Sequence, residues 1–183
     1  DFRTVAPGYW DRDRMPIVGT SAARPGNPDS VVTEWSVDPD AWGDFLSQTF
    51  YLWLKDDLGK VFVNWFESLV GQWMNKPAQI CTLAPVCGRS LVTMERDGRL
   101  YSCDHFVFPE HQIGDLNDED CELVEVAYSP KQQRFGCAKR ESLPGQCLRC
   151  QYSYACNGEC PKNRFLKTPE GEPGLNYLCS RSE

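Results

Sequence analysis

The chain has 183 residues, a formal net charge of −7 and ten cysteines. Its acidic balance offers no basic stripe to neutralise phosphates, which argues against a nucleic-acid partner, and no run of about 18 apolar residues is present to span a membrane. With 6 Trp, 9 Phe and 7 Tyr the chain can bury a core without covalent staples, and the opening Asp1, Phe2, Arg3 is not a signal peptide, so the cysteines read as metal ligands in a soluble, cytoplasmic protein rather than as a disulfide framework.

Residues 1–35 are punctuated by Pro7, Gly8, Pro16, Gly19, Pro25, Gly26 and Pro28, with little period among the apolar positions. So long a loop is unusual at the start of an independent domain, and the expectation is a chain that begins inside a larger protein. Asp38 is placed to cap a helix that starts at Pro39, along which Trp42, Phe45, Leu46, Phe50 and Trp53 recur on one face, and Gly59 ends it. Val61, Phe62 and Val63 suit a short buried strand, and Phe66, Leu69, Val70, Trp73 and Met74 follow at helical spacing. Helix, strand and helix in succession suggest part of an α/β barrel or a layered fold, with the aromatic residues as core.

The composition shifts at Ala78, where the cysteines begin, and divides the chain into 1–77 and 78–183. Leu91 to Arg96 and Arg99 to Ser102 flank Asp97-Gly98, a strong hairpin signal that delivers Cys103 at its exit. Beyond Ile113-Gly114-Asp115-Leu116, Asn117 can cap a short helix with Asp118, Glu119 and Asp120 in its first turn. On that helix Cys121, Val124 and Tyr128 share a face, which makes Cys121 a core residue. The acidic cluster from Asp115 to Glu122 reads as a solvated helix start. Ser129-Pro130 suggests a further helix running toward Phe135, and Cys137, near its end, is left outside the sites. His105 and His111 read as loop residues, since two imidazoles six apart without a third partner make a weak ligand set.

The remaining cysteines are spaced for metal. Cys147-x2-Cys150-x5-Cys156-x3-Cys160 is followed by Cys179 and preceded by Cys81, Cys87 and Cys103. A Cys-x2-Cys pair turns two sulfurs toward one centre, and two four-cysteine sites can be assembled. Spacing alone does not separate four thiolates around zinc from four around an iron-sulfur cubane.

Cys87-x10-Gly98-x4-Cys103 together with the late cysteine run resembles the SPASM domain that follows the barrel in many radical S-adenosylmethionine enzymes. Cys103-Asp104-His105-Phe106, Phe135-Gly136, Leu143-Pro144 and Asn157-Gly158-Glu159-Cys160-Pro161-Lys162 resemble, more narrowly, the anaerobic sulfatase-maturating enzymes, over about residues 36–180. The Cys-x3-Cys-x2-Cys motif that holds the radical-generating cluster of that family does not occur, since Cys156-x3-Cys160 meets Asn163 at the next ligand position. The fold this implies is an α/β remnant, the last elements of a partial TIM-type barrel, followed by a small, loop-rich α+β SPASM domain whose β-hairpin is organised by metal clusters.

The resemblance implies two 4Fe-4S clusters, one on Cys81, Cys87, Cys103 and Cys160 and one on Cys147, Cys150, Cys156 and Cys179, with zinc as a substitute in protein prepared in air. Full thiolate ligation favours electron transfer or structure as their role. S-adenosylmethionine and a third cluster would belong to a portion outside this chain, which alone would then catalyse nothing. The activity implied is oxidation of a Cys or Ser of a sulfatase polypeptide to formylglycine, with Asp104 as the base that takes the thiol or hydroxyl proton and a flavodoxin or ferredoxin as electron donor. Two further readings stand beside it: the SPASM portion of another radical peptide-modifying enzyme, and a zinc-binding interaction module without redox chemistry.

Overall fold

The computed structural model describes residue 32, residues 35–88 and residues 92–179. The irregular stretch expected at 1–35 lies largely outside the described residues, as does Leu91.

Helix α1 spans Pro39–Leu52, with Asp38 Oδ1 accepting from the amides of Asp40 and Ala41 at 3.0 Å, a side-chain cap on two donors the helix cannot satisfy itself. It continues through a π-helical turn, Trp53–Asp57, and stops ahead of Gly59, whose φ of +75° no continuing helix allows. Trp53 is buried at the end of α1 against Phe50 and Phe66, while Phe45 stays exposed.

The strand expected at 61–63 does not form. Val61 and Phe62 are exposed, the Val61 carbonyl accepts the Trp53 indole N–H at 2.7 Å, and the Val63 carbonyl accepts the Glu67 amide at 2.9 Å in the first turn of helix α2, Asn64–Trp73. β-branched residues favour a strand only where a neighbouring strand supplies partners, and these carbonyls serve a side chain and a helix start instead. Helix α2 buries Phe66, Ser68 and Gln72 but leaves Trp73 and Met74 exposed, so the apolar period only partly becomes core.

Strands β1 (Thr93–Met94), β2 (Arg99–Tyr101) and β3 (Gln112–Asp115) form an antiparallel sheet in the order β1-β2-β3. The hairpin turn is longer than Asp97-Gly98 alone. The Gly98 amide donates to the Glu95 carbonyl at 3.0 Å and Glu95 to Arg99 at 2.9 Å, with φ of +89° at Gly98. A single left-handed residue after a type I-like turn requires glycine there and widens the loop. A bulge between Leu100 and Tyr101 shifts the β2–β3 register from Leu100↔Gly114 to Tyr101↔Gln112.

Asn117 does not cap a helix. Its Nδ2 donates to the Asp97 carbonyl and to Asp115 Oδ1, both at 2.7 Å, which binds the end of β3 to the hairpin turn. Helix α3 begins later, at Leu123–Ala127. Val124 and Tyr128 are exposed, and Val126 faces β3 at Gly114, where half-buried Cys121 also sits. Helix α4 runs from Pro130 to Glu141, past Phe135, with Ser129 capping Gln132; Cys137 on it is exposed.

Two short helices, α5 (Gly145–Arg149) and α6 (Ser153–Cys156), lead to a hairpin of β4 (Leu166–Lys167) and β5 (Pro173–Leu175). Its residues Phe165, Leu166, Leu175 and Tyr177 form the core with Val32, and Cys147 packs on it. The Phe165 and Tyr177 rings stack at 5.5 Å, and the Tyr177 hydroxyl donates to the Val37 carbonyl at 3.0 Å. This small core stands directly beside the late cysteines.

Candidate metal centres

The eight expected ligands influence one another electrostatically in two groups. In the first, Cys87 lies within electrostatic reach of Cys81, Cys160 of Cys87, and Cys103 of Cys160. In the second, Cys147 is influenced by Cys156 and Cys150, and Cys179 by all three.

Each ligand is delivered by a local device. The Cys87 amide donates to the Gly136 carbonyl at 3.2 Å, which fastens the 81–87 segment to α4. Buried Gln132 donates to the carbonyls of Gly88 and Ser102 at 3.2 and 3.1 Å, holding the loop after Cys87 against the residue before Cys103. Cys147 and Cys150 flank the end of one helical turn, with the Cys150 amide on the Cys147 carbonyl at 3.3 Å. Cys156 closes α6, and three successive residues of positive φ follow it: Asn157 (48°), Gly158 (69°) and Glu159 (55°). This left-handed run turns the amides of Gly158 and Glu159 toward the Cys156 sulfur. The sulfurs of Cys103, Cys160 and Cys150 likewise receive backbone N–H groups, from His105, Lys162 and Tyr152, the last at 3.4 Å. N–H groups aimed at sulfur stabilise thiolates and are a lever by which a protein tunes a metal centre.

Sequence reasoning missed the shell behind the ligands. Glu159 Oε2 accepts from Asn163 Nδ2 at 2.9 Å and Asn176 Nδ2 at 2.8 Å, and Asn176 Oδ1 accepts the Leu178 amide at 2.7 Å. The Cys156–Cys160 loop is thereby tied to the segment that carries Cys179. Lys139 Nζ donates to the carbonyls of Cys81 and Thr82 at 2.9 and 2.7 Å. His105, read as a loop residue, places Nδ1 3.6 Å from Cys160 Sγ. His111 stands edge-on to Phe106 and Phe135, where burial lowers its pKa. Only the asparagines near Cys160 and Cys179 carried a signal in the sequence, as small polar residues beside ligands.

The electrostatics describe sites that want a cation. Burial pushes the Cys103 thiol up to about 12, and the Cys160 and Cys179 thiols up to about 11. Burial also raises Cys87, Cys147 and Cys156. Thiolates this desolvated exist only when a bound metal replaces their protons, so the all-sulfur donor set fits zinc or iron-sulfur chemistry. Asp104 is exposed beside them, and the Cys103 thiol donates to its Oδ1 at 3.2 Å, holding its carboxyl below the usual range. Among the described residues, ligand atoms within 4.8 Å of one another group as Cys103, Asp104 and His105, with no three of the cysteine sulfurs so close. A Zn–S bond of about 2.3 Å would draw tetrahedral sulfurs to within about 3.8 Å of each other.

Residues 81–151 match the SPASM family, an iron-sulfur cluster-binding domain. The protein is thus of the iron-sulfur class, with Cys156, Cys160 and Cys179 beyond the matched span. A serine-type anaerobic sulfatase-maturating enzyme of Bacteroides thetaiotaomicron is 48% identical over 151 residues, covering 82% of this chain and 36% of that protein. A cysteine-type anaerobic sulfatase-maturating enzyme of Clostridium perfringens strain 13 is 26% identical over 147 residues, 79% of this chain and 38% of that protein. Among solved structures, tagged anSMEcpe with bound AdoMet superposes with a TM-score of 0.66 at 24% identity, over 86% of this chain and 39% of the other. Native anSMEcpe with bound AdoMet and a peptide gives 0.64 at 25% identity, over 79% and 39%. The chain belongs to the anaerobic sulfatase-maturating enzymes, the radical S-adenosylmethionine family with a SPASM domain, as a C-terminal portion. It spans about a third of the length of the curated relatives it matches. No helix among the described residues is long and apolar enough to cross a membrane.

Proposed function

We propose that this chain is the auxiliary-cluster portion of an enzyme that oxidises a Ser or Cys of a sulfatase polypeptide to formylglycine, with two 4Fe-4S clusters held by Cys81, Cys87, Cys103 and Cys160 and by Cys147, Cys150, Cys156 and Cys179. The observation that supports the reading is that the eight thiols, six of them desolvated, lie within electrostatic reach of one another in two groups of four. The clusters would supply one-electron acceptance or structural bracing. Asp104, exposed beside Cys103, is the base that receives the substrate proton.

Residues 1–77 are the end of a partial barrel and residues 78–183 the cluster domain. In support, Phe45, Tyr51, Leu54, Phe62, Trp73 and Met74 are large apolar side chains left exposed in and around the first two helices, as expected of elements that normally pack against more protein. The partners are a sulfatase polypeptide and a flavodoxin- or ferredoxin-type donor, in a reducing cytoplasm. Identities of 48% and 34% to serine-type relatives, against 26% and 27% to cysteine-type ones, favour a serine target.

The test is iron, acid-labile sulfide and zinc content with reduced-state EPR on chain produced without oxygen. About eight iron and eight sulfide per chain are expected for two cubanes; two firmly held zinc ions and no cubane signal would sink the reading. Paired peptides that differ only by Ser or Cys at the target, assayed on the full-length enzyme, decide the substrate.

A further inference from the structure

Two buried cations lie outside both ligand sets. Lys139 is 1% exposed and Arg164 7%, and among the described residues neither forms an ion pair with a carboxylate. A buried charge is costly unless opposite charge compensates it, so their placement asks for an anion.

The geometry around Arg164 says where that anion is. Its Nε donates to the Gly158 carbonyl at 2.7 Å, its Nη2 to those of Asn157 and Glu159 at 2.7 and 3.1 Å, and its Nη1 to that of Lys139 at 2.6 Å. Asn157, Gly158 and Glu159 are the residues that join Cys156 of the second set to Cys160 of the first. The guanidinium is therefore clamped onto the link between the two sets, within electrostatic reach of Cys147, Cys156, Cys87 and Cys160. A Cβ on Gly158 would come within 2.5 Å of Arg164 Nη2, so the glycine makes room for this approach. Lys139 sits on one side only, bonded to the Cys81 and Thr82 carbonyls and in reach of Cys87 and Cys160 and, more weakly, of the Glu159 carboxylate.

We propose that Arg164 is a counter-cation shared by the two iron-sulfur centres, positioned to raise the reduction potential of both, and that Lys139 does the same for the first centre alone. The inference rests on the reading that the eight cysteines hold two clusters. Four thiolates on an oxidised cubane leave a net charge of −2, and one electron from an external donor makes it −3. A fixed buried cation stabilises the reduced form more than the oxidised one and so raises the potential. Arg164 is a positioning residue that touches no substrate, and a single cation between two centres makes their potentials move together when it is changed.

The experiment is an EPR-monitored redox titration of the anaerobically reconstituted chain, with iron and sulfide measured on every sample. Arg164→Gln is expected to keep its iron and to lower both midpoints, Arg164→Lys to return both toward wild type, and Lys139→Gln to lower one of the two. A fully loaded Arg164→Gln protein with unchanged potentials overturns the proposal, as does an Arg164→Lys protein whose midpoints match those of Arg164→Gln. If Arg164→Gln loses its iron, Lys139→Gln decides: one lowered midpoint supports the proposal and two unchanged midpoints overturn it. A wild-type chain that takes up no iron and sulfide strikes the cluster reading itself, a result distinct from any comparison among variants.

Discussion

A Cβ atom on Gly136 would lie 2.6 Å from the carbonyl oxygen of Cys87, while the Cys87 amide donates to the Gly136 carbonyl at 3.2 Å. Helix α4 and the first ligand segment meet backbone to backbone, and only glycine permits that approach. Gly136→Ala gains up to about 1 kcal/mol of helix propensity but forces apart two backbones that cannot rotate out of the way, an overpacking cost of about 1–3 kcal/mol. The expected result is a lower Tm with iron lost from the first centre. Gly43→Ala in α1, where the added Cβ meets nothing within 4 Å, should hold or raise the Tm and leave the iron content alone. Equal behaviour of the two variants would contradict the close approach.

Asn176 works on the other centre. Its amide bonds Glu159 Oε2 and its carbonyl oxygen takes the Leu178 amide, one residue before Cys179. Asn176→Ala leaves buried polar groups without partners, a loss of about 1–3 kcal/mol, concentrated where Cys179 must be held. Iron and sulfide should fall from about eight to about four per chain with one EPR signal retained. Uniform loss of both signals would show that the network braces the whole domain rather than one centre.

How far the sequence reached follows from what each feature needs. Thiolate ligation needs cysteines at short fixed spacings, so the presence of two four-cysteine sites was legible before any fold, while their division into sets came from the family resemblance and agrees with the electrostatic reach among the thiols. Strand β3 was not legible, because Gln112–Asp115 is short and carries no alternation, and its pairing depends on a bulge opposite Tyr101. Asn117 looked like a helix cap because a cap and a cross-turn anchor call for the same side chain; only the nearness of the Asp97 carbonyl distinguishes them. Lys139 and Arg164 carried no signal in the sequence, since nothing in a linear pattern tells a basic residue that thiols from distant segments will surround it.

Metal uptake should depend on pH in a definite direction. Burial raises the thiols of Cys103 to about 12 and of Cys160 and Cys179 to about 11, so near neutrality they carry protons that a metal must displace. Each proton displaced below the thiol pKa strengthens apparent affinity by about tenfold per pH unit. Cobalt(II) titrations of the metal-free chain between about pH 6 and pH 8, followed by thiolate charge-transfer absorbance, should show tighter binding at the higher pH with proton release to the buffer. Affinity that stays flat across that range would mean the thiols are already ionised and the burial argument fails.

Asp104 is coupled to the first centre through the Cys103 sulfur. The Cys103 thiol donates to Asp104 Oδ1, and the bond is the chief reason the carboxyl lies below its ordinary range. Ligation strips the proton from Cys103, so the sulfur donates nothing, and a neighbouring negative charge takes the place of a hydrogen bond. Both changes raise the carboxyl pKa, which makes Asp104 a stronger base when the first cluster is present than when it is absent. Asp104→Asn in the full-length enzyme should keep its iron and lower turnover by about 10²–10⁴-fold, the range for loss of a positioned general base. The wild-type pH–rate profile should carry an acid limb, since activity falls as pH drops through the carboxyl pKa, and that limb should vanish in the variant. Full turnover in Asp104→Asn, or the same acid limb in both proteins, removes Asp104 from the reaction.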